Sequence, residues 1–253
     1  MFYDLQRASM WKWISAFLFD GILLTIVAVL MAWLLSVALN YDSYHATLNS
    51  AYERCGEEYG VSFNMTLAEY EDMTAEESAS LEAAYAALSA DEEALYAYNM
   101  VIQLTILITS IGILLGFVMM EFTVPMLLGN GQTLGKKIFG LGVMHEDGIR
   151  LTSVQLFIRS ILGKYAIETM IPVLIIVMIF FGTIGLVGPA ILAVLAIAEA
   201  ALIITTRTNA MIHDKLAATV TVDIASQMIF NTRKDLIAYK QKVHAEKAAQ
   251  QTY

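Results

Sequence analysis

The chain has 253 residues, 58% of them hydrophobic and only 15% charged, with a mean hydropathy of +0.62. Soluble domains average roughly half apolar and about a quarter charged, so this composition excludes an ordinary soluble domain and points to a membrane protein. The formal net charge of −9, without a basic patch interleaved with aromatics, excludes nucleic acid as a partner, and a single cysteine excludes an internal disulfide.

The first apolar stretch covers residues 13–39. A hydrocarbon core of about 30 Å needs roughly 20 helical residues at 1.5 Å each. Three later stretches also meet that length: 98–128, 161–181 and 188–206. The first is too long for the core of a cleavable signal, and no small-residue cleavage site follows a short core, so residues 1–39 read as an N-terminus and retained anchor. The expected fold is an all-α integral membrane protein with four transmembrane helices, short extracellular helices and a small cytoplasmic β-element.

Residues 40–97 form an acidic loop, with thirteen Asp and Glu against one basic residue, Arg54. From Thr66 onward it is rich in Ala, Glu, Leu and Met, which favour helix. Three capping-box spacings occur: Thr66 with Glu69, Thr74 with Glu77, and Ser89 with Glu92. They predict two or three short helices, the last running into the span at 98–128. The acids serve to keep a face solvated, and Cys55 reads as a buried or free thiol.

The next loop, 129–160, opens with GNGQTLGKK, Gly129 to Lys137. Its glycines suggest a phosphate-binding loop, but the register fails. Asn130 stands where the first glycine is needed, Lys137 stands where a hydroxyl should hold Mg²⁺, and the preceding run is too long for a lead-in strand. Residues 133–139 predict a short helix with Lys136 and Lys137 near the headgroups. LGVM, HEDG and IRLT predict strand, turn and strand. Residues 153–165 predict an amphipathic helix lying in the interface.

GTIGLVGP joins the two spans of the 161–206 hairpin as a tight turn. In the tail, 207–253, TVTV predicts a strand able to pair with the earlier hairpin, followed by a basic helix. Lys and Arg set the orientation. Arg7 and Lys12 precede the first span, five basic residues lie in 129–164, and seven, beginning with Arg207, lie in the tail. The positive-inside rule puts both termini and the 129–160 loop in the cytoplasm.

Four acids fall within apolar runs: Asp20, Glu121, Glu168 and Glu199. Each lies about 10–12 Å from the cytoplasmic end of its span at 1.5 Å per residue. Intramembrane carboxylates are costly and face a cavity or a partner. Four at one level suggest a shared ion or proton site, with Asp20 and Glu199 as the pair that shares it. Lys164, four residues before Glu168, and Lys12 or Arg159, for Asp20, are the expected counter-charges in the alternative, structural role.

Several segments together resemble the RDD family of bacterial membrane proteins, named for an arginine and two aspartates. They are ISAFLFDGILL (14–24), GQTLGKKIFGLGV (131–143), the Asp147-Gly148 turn, LFIRSIL (156–162) and IHDKLAATVTV (212–222). The resemblance matches Asp20 and Asp214 to the two aspartates, and His213, Gly131, Gln132, Gly135 and Arg159 to motif positions. Trp13 stands at the arginine position, with Lys12 beside it. It implies that the Gly129 loop is a structural signature. It also implies a membrane transporter, of which monovalent cation/proton exchange is one form, or an accessory or regulatory subunit of a membrane complex.

The expected function is therefore a small plasma-membrane transporter exchanging a monovalent cation for protons through those carboxylates. The alternative is an accessory subunit that binds a membrane-protein partner through its extracellular helices. Four helices enclose little space, so a homo-oligomer is expected. No GxSxG, HExxH or cysteine cluster suggests an enzyme, a cofactor or a metal centre.

Overall fold

The computed structural model describes residues 8–250 except Phe181 and Arg207. Arg7 and Arg207, used above for orientation, and Phe181, the expected end of a span, lie outside the described residues.

Among the described residues, three helices are long and apolar enough to cross a membrane. α1 spans Met10–Ala38. The second is Glu92–Leu128, made of α5 (Glu92–Phe117), a π-helical turn (Val118–Thr123) and α6 (Val124–Leu128). The third is α10, Val187–Thr205. The stretch expected as a further span is a composite. α8 (Ser153–Phe157) passes into a 13-residue π-helix, Ile158–Met170, and then into α9 (Ile171–Phe180). The predicted interfacial helix over 153–165 is thus not a separate element. The wider turn of the π-helix carries it directly into the apolar rod.

The chain divides into two compact units, Val29–Ile113 and the remainder. In the first, α2 (Tyr41–Tyr59), α3 (Leu67–Glu71) and α4 (Ala75–Ala90) follow the end of α1. α2 lies where no helix was expected. Its mixed polar sequence lacks an N-terminal side-chain cap, and its core side is set by packing of Ala51 and Cys55 against Leu88 and Ala94. Thr66 and Thr74 form their capping boxes with Glu69 and Glu77. Ser89 does not, because α4 runs through it to Ala90. Asp91 instead accepts from the backbone of Glu93 and Ala94 and starts α5. Arg54 also pairs with Asp91.

The larger unit holds a two-stranded antiparallel sheet, β1 (Leu141–His145) with β2 (Thr219–Asp223), in the register Leu141 opposite Asp223. TVTV therefore pairs as expected, but IRLT forms no strand. Only single bridges join Arg150 to Met144 and Ile149 to Phe230. Val143 gives its N–H to the Asn130 carbonyl, so the β1 edge that a hairpin partner would use is taken. Met144, Val220 and Val222 pack beneath Ile229, and Leu141 packs with Ala16 of α1. Two short helices flank the sheet, α7 (Leu134–Ile138) and α11 (Ile212–Leu216), and α12 (Arg233–Gln250) follows it.

Candidate functional site

The larger unit encloses a cavity of about 470 Å³, walled by α1, the π-helical turn, α7, the long π-helix, α10 and α11. Asp20, Glu121, Glu168 and Glu199 all stand on its wall. So do Lys136, Arg159, Lys164 and His213. The rest is mainly apolar, with Trp13, Phe17 and Leu24 from α1 and Leu192 and Leu195 from α10.

Asp20 is 7% exposed and held by the Gly129 loop. Gly129, Asn130 and Gly131 take left-handed backbone angles, which reverse the chain after α6. Gln132 then donates to the Leu141 carbonyl at 2.7 Å, and Thr133 caps α7. Thr133 also donates its hydroxyl to Asp20, and the Gly135 N–H donates to the same carboxylate at 2.7 Å. A Cβ on Gly135 would lie 2.5 Å from the Ala16 carbonyl, so only glycine lets α7 approach α1 this closely. The motif residues Gly131, Gln132 and Gly135 thus build the clamp on Asp20. The expected counter-charges go elsewhere. Lys12 pairs with Asp223 at 2.7 Å, and Arg159 pairs with Asp214 at 2.8 Å.

Lys136, expected at the headgroups, is instead 6% exposed, while Lys137 is exposed. Its ammonium donates to Thr133 Oγ1 at 3.3 Å. Burial, reinforced by neighbouring Lys164 and Arg159 and opposed by Glu121 and Asp20, pushes Lys136 down to about 8. Lys164 does not pair with Glu168 on its own helix. It reaches across to Glu121 at 2.6 Å, a carboxylate buried on another element with no nearer cation.

Glu168 turns to α11. It accepts the His213 backbone N–H at 2.7 Å and the His213 Nδ1 at 2.8 Å. Arg159 Nη2 lies 3.0 Å from His213 Nε2. A guanidinium only donates, so Nε2 must accept, and the Nδ1–H is what His213 gives to Glu168. His213 is therefore neutral, in keeping with the downward push of burial on its pKa. Asp214 is raised by burial, but the Arg159 guanidinium and the Met211 N–H outweigh this and hold it well below the usual carboxylate range. It also accepts from the Met211 N–H and the Thr219 hydroxyl, tying α11 to β2. Gly163 permits the docking, since a Cβ there would meet His213 Cβ at 2.5 Å.

Glu199 is the exception. Both carboxyl oxygens are sealed from solvent and receive no hydrogen bond of normal geometry from the described residues. The group it faces is Glu168. The expected Asp20–Glu199 pair is thus a Glu168–Glu199 pair, because Thr133 and Gly135 occupy Asp20. The Glu168–His213 link and the burial of Lys136 were not foreseen. The only hints in the sequence were Thr133 three residues before Lys136 and the apolar run around Glu199.

No curated protein and no solved structure matches the chain. The model of the RDD family matches residues 7–218, which include α1, the Asp20 clamp, the Arg159 helix and the His213-Asp214 pair. The chain is a membrane protein and belongs to the RDD family.

Proposed function

We propose that the chain is a small transporter of the bacterial plasma membrane that exchanges a cation for protons through this cavity. The observation that carries the reading is the charge balance of the wall. Five carboxylates (Asp20, Glu121, Glu168, Glu199 and the adjoining Asp214) meet three cations, Lys136, Arg159 and Lys164. Among the described residues each acid except Glu199 has a donor at normal hydrogen-bond geometry. A bare buried carboxylate costs several kcal/mol, so Glu199 is the position where a proton or cation is held.

On this reading the rod Ser153–Phe180 is the fourth span, packed through α9 on α10 after the turn at Gly182 and Gly185. The distribution of Lys and Arg keeps both termini cytoplasmic, and copies associate as a homo-oligomer. The chain is a carrier and not an enzyme. Arg159 fills the Nε2 of His213, so the His213–Glu168 pair has no free nitrogen to activate a nucleophile. A second reading, an accessory subunit, draws on the exposed Tyr70, Tyr85, Tyr96 and Tyr98 of the smaller unit, since tyrosine is enriched at interfaces.

In liposomes holding the purified protein, adding a cation outside should move protons. Glu199→Gln should abolish that movement with little change in melting temperature, because the Glu199 oxygens receive no hydrogen bond of normal geometry from the described residues. Asp20→Asn should lower the melting temperature first. Proton movement unchanged in Glu199→Gln would rule out this carboxyl as the carrier group.

A further inference from the structure

We propose that the cavity takes a lipophilic organic cation, an ammonium or phosphonium on an apolar body, in preference to a bare alkali-metal ion. The inference rests on the transport reading and names its cargo.

Size is the first argument. A water molecule takes about 30 Å³ of liquid volume, so the cavity's 470 Å³ is worth roughly fifteen waters. One alkali ion needs a single such position and a tight shell of oxygens. Pockets of about 300–1,000 Å³ instead fit drug-sized molecules.

The wall is the second argument. A hard cation is stripped of water only by several converging oxygens. Here the oxygens of Asp20 are engaged by Thr133 and Gly135, and Glu121 by Lys164. That leaves Glu168 and Glu199. The rest of the wall is mainly hydrocarbon and aromatic: Trp13 and Phe17 stack 5.8 Å apart with an 8° tilt, and Leu24, Leu192 and Leu195 continue the surface. An aromatic face attracts a cation by its quadrupole and an apolar body by burial.

Charge is the third argument. The cations near the pair are already spent, Arg159 on Asp214 and Lys164 on Glu121. His213 is neutral and gives its one N–H to Glu168. A single positive charge between Glu168 and Glu199 compensates the pair. As it enters, one proton leaves the pair for solvent, so charge is conserved and the two compete for one place.

The test uses the full-length protein in detergent, titrated with tetraphenylphosphonium and followed by tryptophan fluorescence and equilibrium dialysis. Tetraphenylborate, of the same shape and opposite charge, is the control. Saturable binding of the phosphonium and none of the borate is expected. Affinity should weaken about tenfold per pH unit once the pair is protonated. Glu199→Gln should weaken it by about tenfold or more with folding intact, and Leu195→Trp should block the cavity by filling it. If Glu199→Gln fails to fold, Glu168→Gln with a melting curve takes its place. Equal binding of the borate, or unchanged affinity in the carboxyl variants, overturns the proposal. Proton movement driven by Na⁺ or K⁺ in liposomes, with no phosphonium binding, overturns it while leaving the transport reading intact. Proton-competitive binding without flux for any cation upholds the ligand class and ends the transport reading instead.

Discussion

Lys136 is the residue whose surroundings depart furthest from its expected place. A lysine at the eighth position of a loop reads as a headgroup contact, because lysine side chains snorkel to water. Thr133 caps α7 and turns that side chain inward, where its ammonium meets one hydroxyl and two other cations. Its pKa falls from 10.5 to about 8, mainly by burial. The sign of the stability effect follows. Above pH 10.5 the amine is neutral folded or unfolded, and nothing is lost. As pH falls toward 8 the unfolded chain takes up the proton first, so stability declines, and below 8 the full penalty is present. Lys136→Met should therefore raise the melting temperature at pH 7, by on the order of 1–3 kcal/mol of stability, and the gain should close as pH approaches 10.5. A gain independent of pH would mean that packing, not charge, is the cause. Asp20 was legible as special from the apolar run around it, since such acids need partners, and Asp214 from the family resemblance. Their partners were not legible. Thr133 is 113 residues from Asp20, and Arg159 is 55 from Asp214.

At the scale of elements, the helices read most clearly where one physical term dominates. The apolar run of α1 and the capping boxes at Thr66 and Thr74 are local signals, and both form. α2 has no such signal at its start and is helical through contacts with α4 and the start of α5. IRLT has strand propensity but no free β1 edge, as Asn130 occupies it. The packing of α1 on α5 depends on small residues. Built Cβ atoms on Gly112 and Gly116 would lie 2.9 and 3.1 Å from the Cβ atoms of Ala32 and Ala28. Both helices thus present small residues four apart, the spacing that lets apolar helices approach in lipid. Gly116→Ile should separate α1 from α5 and cost about 1–3 kcal/mol, the usual range for overpacking, read as a lower melting temperature in detergent. Gly21→Ala has open space around its new methyl and should leave melting unchanged or raised. Equal effects of the two would show that this contact does not hold the helices.

For the molecule as a whole, the proposed orientation predicts which surfaces an impermeant reagent reaches. Cys55 is only 4% exposed and should stay unlabelled in native protein on either side. In a Cys55→Ala background, Ser62→Cys, on an exposed position of the acidic unit, should react in intact cells, and Ser226→Cys after β2 should react only after lysis. The reverse pattern would invert the topology. The sequence by itself determined that the chain enters a membrane, where the helices begin around Thr66 and Thr74, and which acids cannot be ordinary surface groups. These follow from hydropathy, local hydrogen bonding and the cost of burying charge, which act within a few residues. Only the tertiary structure decided that four acids from four elements share one cavity. It also decided that Asp20 is clamped by Thr133 and Gly135, and that Glu199 faces Glu168. Those pairings depend on close backbone approach at Gly135 and Gly163, and on which donor arrives first at each carboxylate. That competition is settled in space between distant segments, so no window of the sequence contains it.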